Sequence, residues 1–478
     1  MKKTGLFKII MFVLLGIVVA TWIFSAGYFN EGELTDLGMY NIGFFDYFQL
    51  LFGSFEFSYF IQIFILLVSI GALYGVLGKT GKYRAFVEKI ASNLKGREMV
   101  FIIITAFIIA ALTAVFDYGF AMFIFYPFVI SIILAMGYDK TTACLTTFGA
   151  QLVGTIGGVI AYNINGAVNN LLELELGAGL WFKLALFVLS FGALVFFLSK
   201  AKKGKRTAKA EEEDMFLGEK ATNKYSVAPI IVIFSIIFVL LVLGCTAWED
   251  TFGVAAFKNF NDNLAAYTIK LPYFHLTING VDAGTKDIAI FNQILGTVSA
   301  FGEWYYAEMA VMCLLSALVL GLLYRVKDKF VAMAEGAKKM LRPALLIVLI
   351  YCVIYFAGNT MFFPTLAGLI LGITSKFNIF FSTIVMALAS AIHVDMLYVS
   401  NYAIPQLAAQ DVNPIIIALL AQGIYGVVMF VAPTSAVLAL GLSYLDIPYK
   451  EWVKNTWKLI LALFAIVVVV LIASMIIL

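Results

Sequence analysis

The chain is poor in most of what polar chemistry uses. Of its 478 residues only 13% are charged, two are histidine, four are cysteine and nine are proline. So little charge cannot clothe the surface of a soluble protein of this length. Cys144, Cys245, Cys313 and Cys352 lie in or beside apolar runs, without a CxxC or any paired spacing, which excludes a zinc finger or a disulfide framework. His275 and His393 stand far apart, so no histidine pair has metal-ligand spacing, and a lone His275 reads as a surface or packing residue. There is no Walker sequence and no GxSxG, against an ATP-driven pump and a serine hydrolase. The basic residues gather only in short gaps between apolar runs, so nucleic acid is not a partner.

What the chain has is apolar length. It is 63% hydrophobic with a mean hydropathy of +0.98. Runs of about 20 residues suffice to cross ~30 Å of hydrocarbon. They fall near 5–27, 57–78, 98–116, 119–137, 141–163, 179–199, 227–246, 304–325, 343–358, 361–375, 378–402, 413–443 and 457–478. The fold class is therefore an all-α polytopic membrane protein of about 11–13 hydrophobic segments in two repeats, with re-entrant or broken helices among them. If alternate gaps face the same side, 28 of the 32 basic residues share the side of Lys2 and Lys3, and only Lys183, Lys258, Lys270 and Lys286 fall opposite. The positive-inside rule makes the first side cytoplasmic, with the N-terminus in the cytoplasm and the chain multi-pass in a bacterial cytoplasmic membrane. Met1 to Ala26 imitates a signal peptide, but its apolar stretch is long and ends at an interfacial Trp22, so it reads as a retained helix.

One polar segment, 200–226, divides the chain into an N-terminal repeat (1–199) and a C-terminal repeat (227–478), the latter with an extracytoplasmic insert at 247–303. Within that insert Ala266 to Val281 partly alternates, and Asn279-Gly280 signals a hairpin turn. Two basic amphipathic pieces, Tyr83 to Arg97 and Phe330 to Arg342, look like counterparts in the two halves. Both fall on the cytoplasmic side of the count, which suggests a parallel repeat where many secondary transporters use an inverted one, and the sequence leaves the two open.

Polar groups inside apolar spans are costly and therefore candidates for function. The first cluster is Gln151, Gly154, Thr155, Gly157 and Gly158, followed by Asn163 and Asn165. Closely spaced glycines weaken a helix and let a ligand approach backbone, although close helix packing uses the same residues. The second cluster is Pro433, Thr434 and Ser435 after Gln422, where proline breaks the ladder and hydroxyls stand at the break. Asp117 and Asp395 are carboxylates at span level, with His393 near the second and Asn401 farther along the same run, so Asp117, Asp395 and His393 are coupling candidates. Asn359 and Thr360 stand between two apolar runs, at a plausible re-entrant tip. Glu308, beside Trp304, Tyr305 and Tyr306, reads as part of an interfacial belt.

Phe125-Tyr126-Pro127, Ala135 to Asp139, Gly154 to Gly158, Trp304 to Glu308, Gly336-Ala337-Lys338, Pro433-Thr434-Ser435 and Ile447 to Lys450 with Trp452 follow one another in an order that resembles YfcC-type carriers. That family is grouped with the DcuC-like C4-dicarboxylate carriers of the ion transporter superfamily. The resemblance implies two inverted repeats with re-entrant hairpins, and a site lined by Thr155, Gly157, Gly158, Thr434 and Ser435. It also implies a secondary transporter of a small organic ion, an amino acid or a dicarboxylate, driven by Na+ or H+ or by exchange. No cofactor and no metal beyond Na+ is expected, and a homodimer is an open expectation. The alternative is a polytopic intramembrane enzyme, for which Tyr138-Asp139 is a candidate pair without the GxGD that usually accompanies it.

Overall fold

Helices satisfy every backbone donor and acceptor locally, which is what an apolar run needs where water is absent. In the computed structural model, eight helices among the described residues are long and apolar enough to cross a membrane. The described residues are 5–30, 33–201, 215–218, 226–277, 280–296, 299–374 and 376–478.

The first half starts with α1 (Gly5–Thr21), a small antiparallel hairpin of β1 (Ala26–Asn30) and β2 (Glu33–Gly38), and α2 (Phe44–Gly53). α3 (Ser58–Lys79) and the basic α4 (Lys82–Asn93) follow. α5 (Glu98–Val115) and α6 (Tyr126–Ala135) are joined through Asp117 and a 3-10 turn at Gly119–Ile124. The chain returns to its starting end there, because the Ser131 and Tyr83 hydroxyls are 3.2 Å apart across α6 and α4. α7 (Lys140–Cys144) passes through a π-turn at Leu145–Gly149 into α8 (Ala150–Gly157), then breaks before α9 (Tyr162–Leu171), and α10 (Leu180–Leu198) closes the half.

α11 (Ala228–Cys245) crosses to a cap made of α12 (Trp248–Phe252), α13 (Ala256–Ala266), β3 (Thr268–Thr277), β4 (Gly280–Ala289) and α14 (Ile290–Leu295). β3 and β4 pair antiparallel from Thr268 opposite Ala289 to Thr277 opposite Gly280, and the expected turn residue Asn279 lies outside the described residues. The side chain of His275 is also outside them. The second half has α15 (Tyr306–Leu323), α16 (Lys329–Thr360) and α17 (Phe363–Leu371). α18 (Ile379–His393) and α19 (Met396–Ala408) meet at Val394–Asp395, and α20 (Pro414–Met429) and α21 (Ala436–Leu445) form a second broken helix before α22 (Tyr449–Ile477).

Small residues hold the centre together. A methyl group on Gly71 would stand 2.6 Å from the Gly336 carbonyl oxygen, so only glycine permits α3 and α16 to approach this closely. The two helices run antiparallel: Phe60 packs on Tyr351 at 4.9 Å near one end, and Lys79 reaches Glu335 at 3.8 Å near the other. That second end is the basic one. Arg342 meets Asp446 there at 3.3 Å, and Lys339 donates to the Met215 carbonyl at 2.7 Å. Phe216, 2% exposed, sits there between Tyr74 and Tyr444, so this piece of the interrepeat segment is docked against both halves.

Tracing directions from these contacts makes the repeat inverted. α3 ends at the basic end, whereas α16 leaves it. α5 starts beside α4 at the basic end, but α18 and α19 open toward the far end, where Gln406 lies beside Gly368 of α17 and the Gly27 N–H donates to the Met361 carbonyl at 2.9 Å. α7 to α9 leave the basic end, and α20 to α21 return to it at Asp446.

Three sequence expectations are corrected. The two basic amphipathic pieces are not counterparts, because residues 329–342 continue without a break into the span of α16. The structural counterpart of α4 is α17, at the opposite end. Residues 361–375 do not cross, since the nine residues of α17 are only about 14 Å long. Lys376, after α17, therefore lies at the far end and not with the basic cluster.

Candidate functional site

Two strained tips face each other across the centre. Asp117 has φ +48°, and Val394, immediately before Asp395, has φ +60°, a backbone region that a β-branched residue rarely adopts. Each tip is held from the opposite or neighbouring arm. The Asn163 amide donates to the Asp117 carbonyl at 3.0 Å, the Tyr425 hydroxyl donates to the Val394 carbonyl at 2.9 Å, and Thr434 Oγ1 donates to the Ala391 carbonyl at 2.7 Å. The Asp395 carboxylate caps α19 by accepting the Leu397 N–H at 3.0 Å, and Tyr59 lines the same cavity.

Between the tips lies a cavity of about 580 Å³. Asp117, Asp395, Gln151, Thr155, Asn163 and Ser435 line it, with seven tyrosines: Tyr59, Tyr162, Tyr305, Tyr306, Tyr351, Tyr398 and Tyr425. No lysine, arginine or histidine is among the described residues that line it. Lys183, the basic side chain that is fully buried on α10, is not part of the wall. The N-termini of α9, α15, α19 and α21 reach the cavity, each presenting the positive end of its dipole.

The breaks are kept open by side chains that replace missing backbone bonds. Asn165 Nδ2 donates to the carbonyls of Gly158 (2.6 Å) and Ala161 (3.1 Å), and Gln422 Nε2 donates to the Ile156 carbonyl at 2.9 Å across the repeats. Gln151 joins the first tip to its own arm, accepting from the Tyr126 hydroxyl at 2.8 Å and donating to the Gly119 carbonyl at 3.0 Å. Ser435 caps α21 by accepting the Leu438 N–H at 3.3 Å.

Other sequence candidates fall elsewhere. Gly154 packs against Ala110 and Thr113 of α5, and a methyl group on Gly157 would stand 2.5 Å from Phe187 Cβ, so both glycines serve helix contact. Gly158 is where α8 ends, against Gln422. Pro433 and Thr434 form the break behind Ser435 and do not line the cavity. His393 is fully buried behind the second tip, stacked on Tyr402 at 4.2 Å and edge-on to Phe363. Asn359 is exposed and donates to the Tyr355 carbonyl, Thr360 is buried and bonded to the Phe356 carbonyl, and Asn401 is exposed on α19. Asp139, the acid of the enzyme alternative, is the N-cap of α7 at the basic end, accepting the Thr142 N–H at 2.8 Å. Glu308 caps α15 through the Tyr305 N–H at 2.9 Å, and its neighbours Tyr305 and Tyr306 turn into the cavity.

The tyrosines were not legible as a group. They come from six different helices, Tyr305 and Tyr306 together from the start of α15, and only the fold brings them to one wall. Among the described residues no three His, Cys, Asp or Glu side chains gather as a metal site. The oxygen-rich lining suits a hard monovalent cation or an ammonium group.

No curated protein matches the sequence. Among solved structures the chain is similar to the YdaH transporter of Alcanivorax borkumensis, at 12% identity, TM-score 0.43 and 98% coverage of both chains. It is also similar to MtrF of Neisseria gonorrhoeae, described as one of a class of antimetabolite efflux pumps, at 10% identity and TM-score 0.38, covering 97% of this chain and 94% of that one. The family model for the C4-dicarboxylate anaerobic carrier DcuC matches residues 4–476. The chain, a multi-pass membrane carrier and not an enzyme, therefore belongs to the DcuC family.

Proposed function

We propose that this is a YfcC-type secondary transporter that moves a small amine-bearing organic ion, an amino acid and by preference a basic one, across the bacterial cytoplasmic membrane. The observation that supports it is the cavity wall: two carboxylates, seven tyrosine rings and no cation among its described residues. A carboxylate held away from bulk water is stable only with a counter-ion or a proton. At an effective dielectric of about 20, a dianion ~6 Å from each aspartate meets about 3 kcal/mol of repulsion per charge pair. An ammonium gains as much, and tyrosine faces add cation–π attraction. The same amino acid presents a carboxylate, which the N-termini of α9 and α21 suit. Na+ or H+ couples the movement, with Asp117 and Asp395 as the acceptors, or a second amine exchanges for the first. The basic end faces the cytoplasm by the positive-inside rule, and the cap of α12 to α14 faces outward.

The helix N-termini at the cavity and the family description favour one second reading, a dicarboxylate carried with cations bound at the aspartates. Thermal shift of the purified protein with basic and neutral amino acids, succinate and fumarate, each with and without Na+, separates the two. A ligand at 100 times its Kd stabilises the native state by about 2.7 kcal/mol. An amino acid is expected to give that shift. Stabilisation by dicarboxylates alone, dependent on Na+, would replace the amine reading with the second.

A further inference from the structure

A second cavity, of about 320 Å³, lies at the basic end between α1, α16, α21 and the start of α22. We propose that it binds the phosphate of an anionic phospholipid. Three groups of suitable chemistry line it. Arg342 contacts Asp446 through Nη1 at 3.3 Å, and a guanidinium has five donors, so that pairing does not exhaust it. Lys450 is exposed in the first turn of α22, whose 29 residues direct the positive end of the helix dipole at the same place. Ser443 is only 7% exposed, lines the cavity, and its hydroxyl has no hydrogen-bond partner. A buried hydroxyl without a protein partner is free to bond an oxygen that enters the cavity. Asp446, the one acid among the described residues of the wall, is engaged by Arg342, and with Lys450 those residues carry a net positive charge.

The rest of the wall decides between a lipid and free phosphate. Leu6, Phe7 and Leu346 make one side apolar. α16 changes from a charged to an apolar helix at Arg342-Pro343, which sets Arg342 at the level of lipid headgroups. A soluble phosphate gains nothing from that apolar side, whereas a diacyl lipid does. Occupancy would tie α16 to α21 and α22, and so favour the arrangement in which they meet. This site is independent of the substrate assignment.

Native mass spectrometry of the detergent-purified protein tests it, titrating phosphatidylglycerol, phosphatidylethanolamine and inorganic phosphate in parallel. The wild type is expected to retain one phosphatidylglycerol that Ser443→Leu, which fills the cavity, and Lys450→Gln, which changes an exposed side chain, each weaken at least tenfold. Phosphatidylethanolamine should bind more weakly than phosphatidylglycerol. The proposal is overturned if both variants, shown folded by unchanged melting temperatures, keep wild-type phosphatidylglycerol affinity, or if inorganic phosphate alone competes the lipid away at equal concentration.

Discussion

Replacing Asp395 with asparagine separates the charge of the second tip from its structural duty. The carboxylate caps α19 through the Leu397 N–H at 3.0 Å. Asparagine is as good an N-cap as aspartate, so the cap survives and the fold should lose less than about 0.5 kcal/mol. What disappears is the charge. For an ammonium at ~4 Å and an effective dielectric near 20, Coulomb's law gives about 4 kcal/mol. Partial solvation of the open cavity reduces this, and a loss of about 2–4 kcal/mol corresponds to roughly 30- to 1,000-fold in affinity. The assay is isothermal titration with the amino acid that stabilises the wild type, beside thermal unfolding without ligand. The expected result is an unchanged melting temperature with affinity lowered at least 30-fold. An affinity within threefold of wild type would refute the claim that this carboxylate holds the amine. A melting temperature lower by ten degrees would instead show that the charge serves the fold.

Three further outcomes follow from the packing and the topology. Gly71→Leu should lower thermal stability by about 3 kcal/mol or more, read as loss of monodisperse protein in fluorescence-detected size exclusion, because the Gly336 carbonyl stands 2.6 Å from the first added carbon. Gln422→Leu should cost about 1–3 kcal/mol in thermal unfolding by orphaning the Ile156 carbonyl across the repeat interface, and an unchanged melting temperature would remove it from that role. In a variant with its four cysteines replaced, Lys376→Cys should react with an impermeant maleimide from outside the cell and Lys95→Cys only after lysis; labelling of both from one side would exclude the inverted repeat.

Much of the topology could be read from the chain, because apolar length and charge sidedness act locally. The break near Gly158 and the one before Ser435 were also legible, since glycine and proline announce a helix end. Asp117 and Asp395 stood out as acids in apolar runs, although nothing in the sequence placed them opposite each other. The glycines misled in part. Gly154 and Gly157 look like ligand contacts, yet they allow α5 and α10 to pack against α8. The two basic pieces were misread as counterparts for a physical reason. Residues 82–93 form a separate helix between Gly81 (φ +67°) and Gly96 (φ +86°), whereas 329–342 has no such stop and runs into its span through Pro343. Similar charge in the two pieces concealed different boundaries.

The inverted arrangement has a consequence for how such a chain is inserted. Equivalent elements of the two halves reach opposite surfaces, so they cannot carry the same charge. α4 holds Lys82, Arg84 and Lys89, while α17, its counterpart, is Phe363 to Leu371 without a charged residue. Each half thus bears its own orientation label, written in lysine and arginine on one and erased on the other. Divergence of two related halves would begin with this charge difference, because a common unit with basic residues on both short helices would insert both copies the same way up.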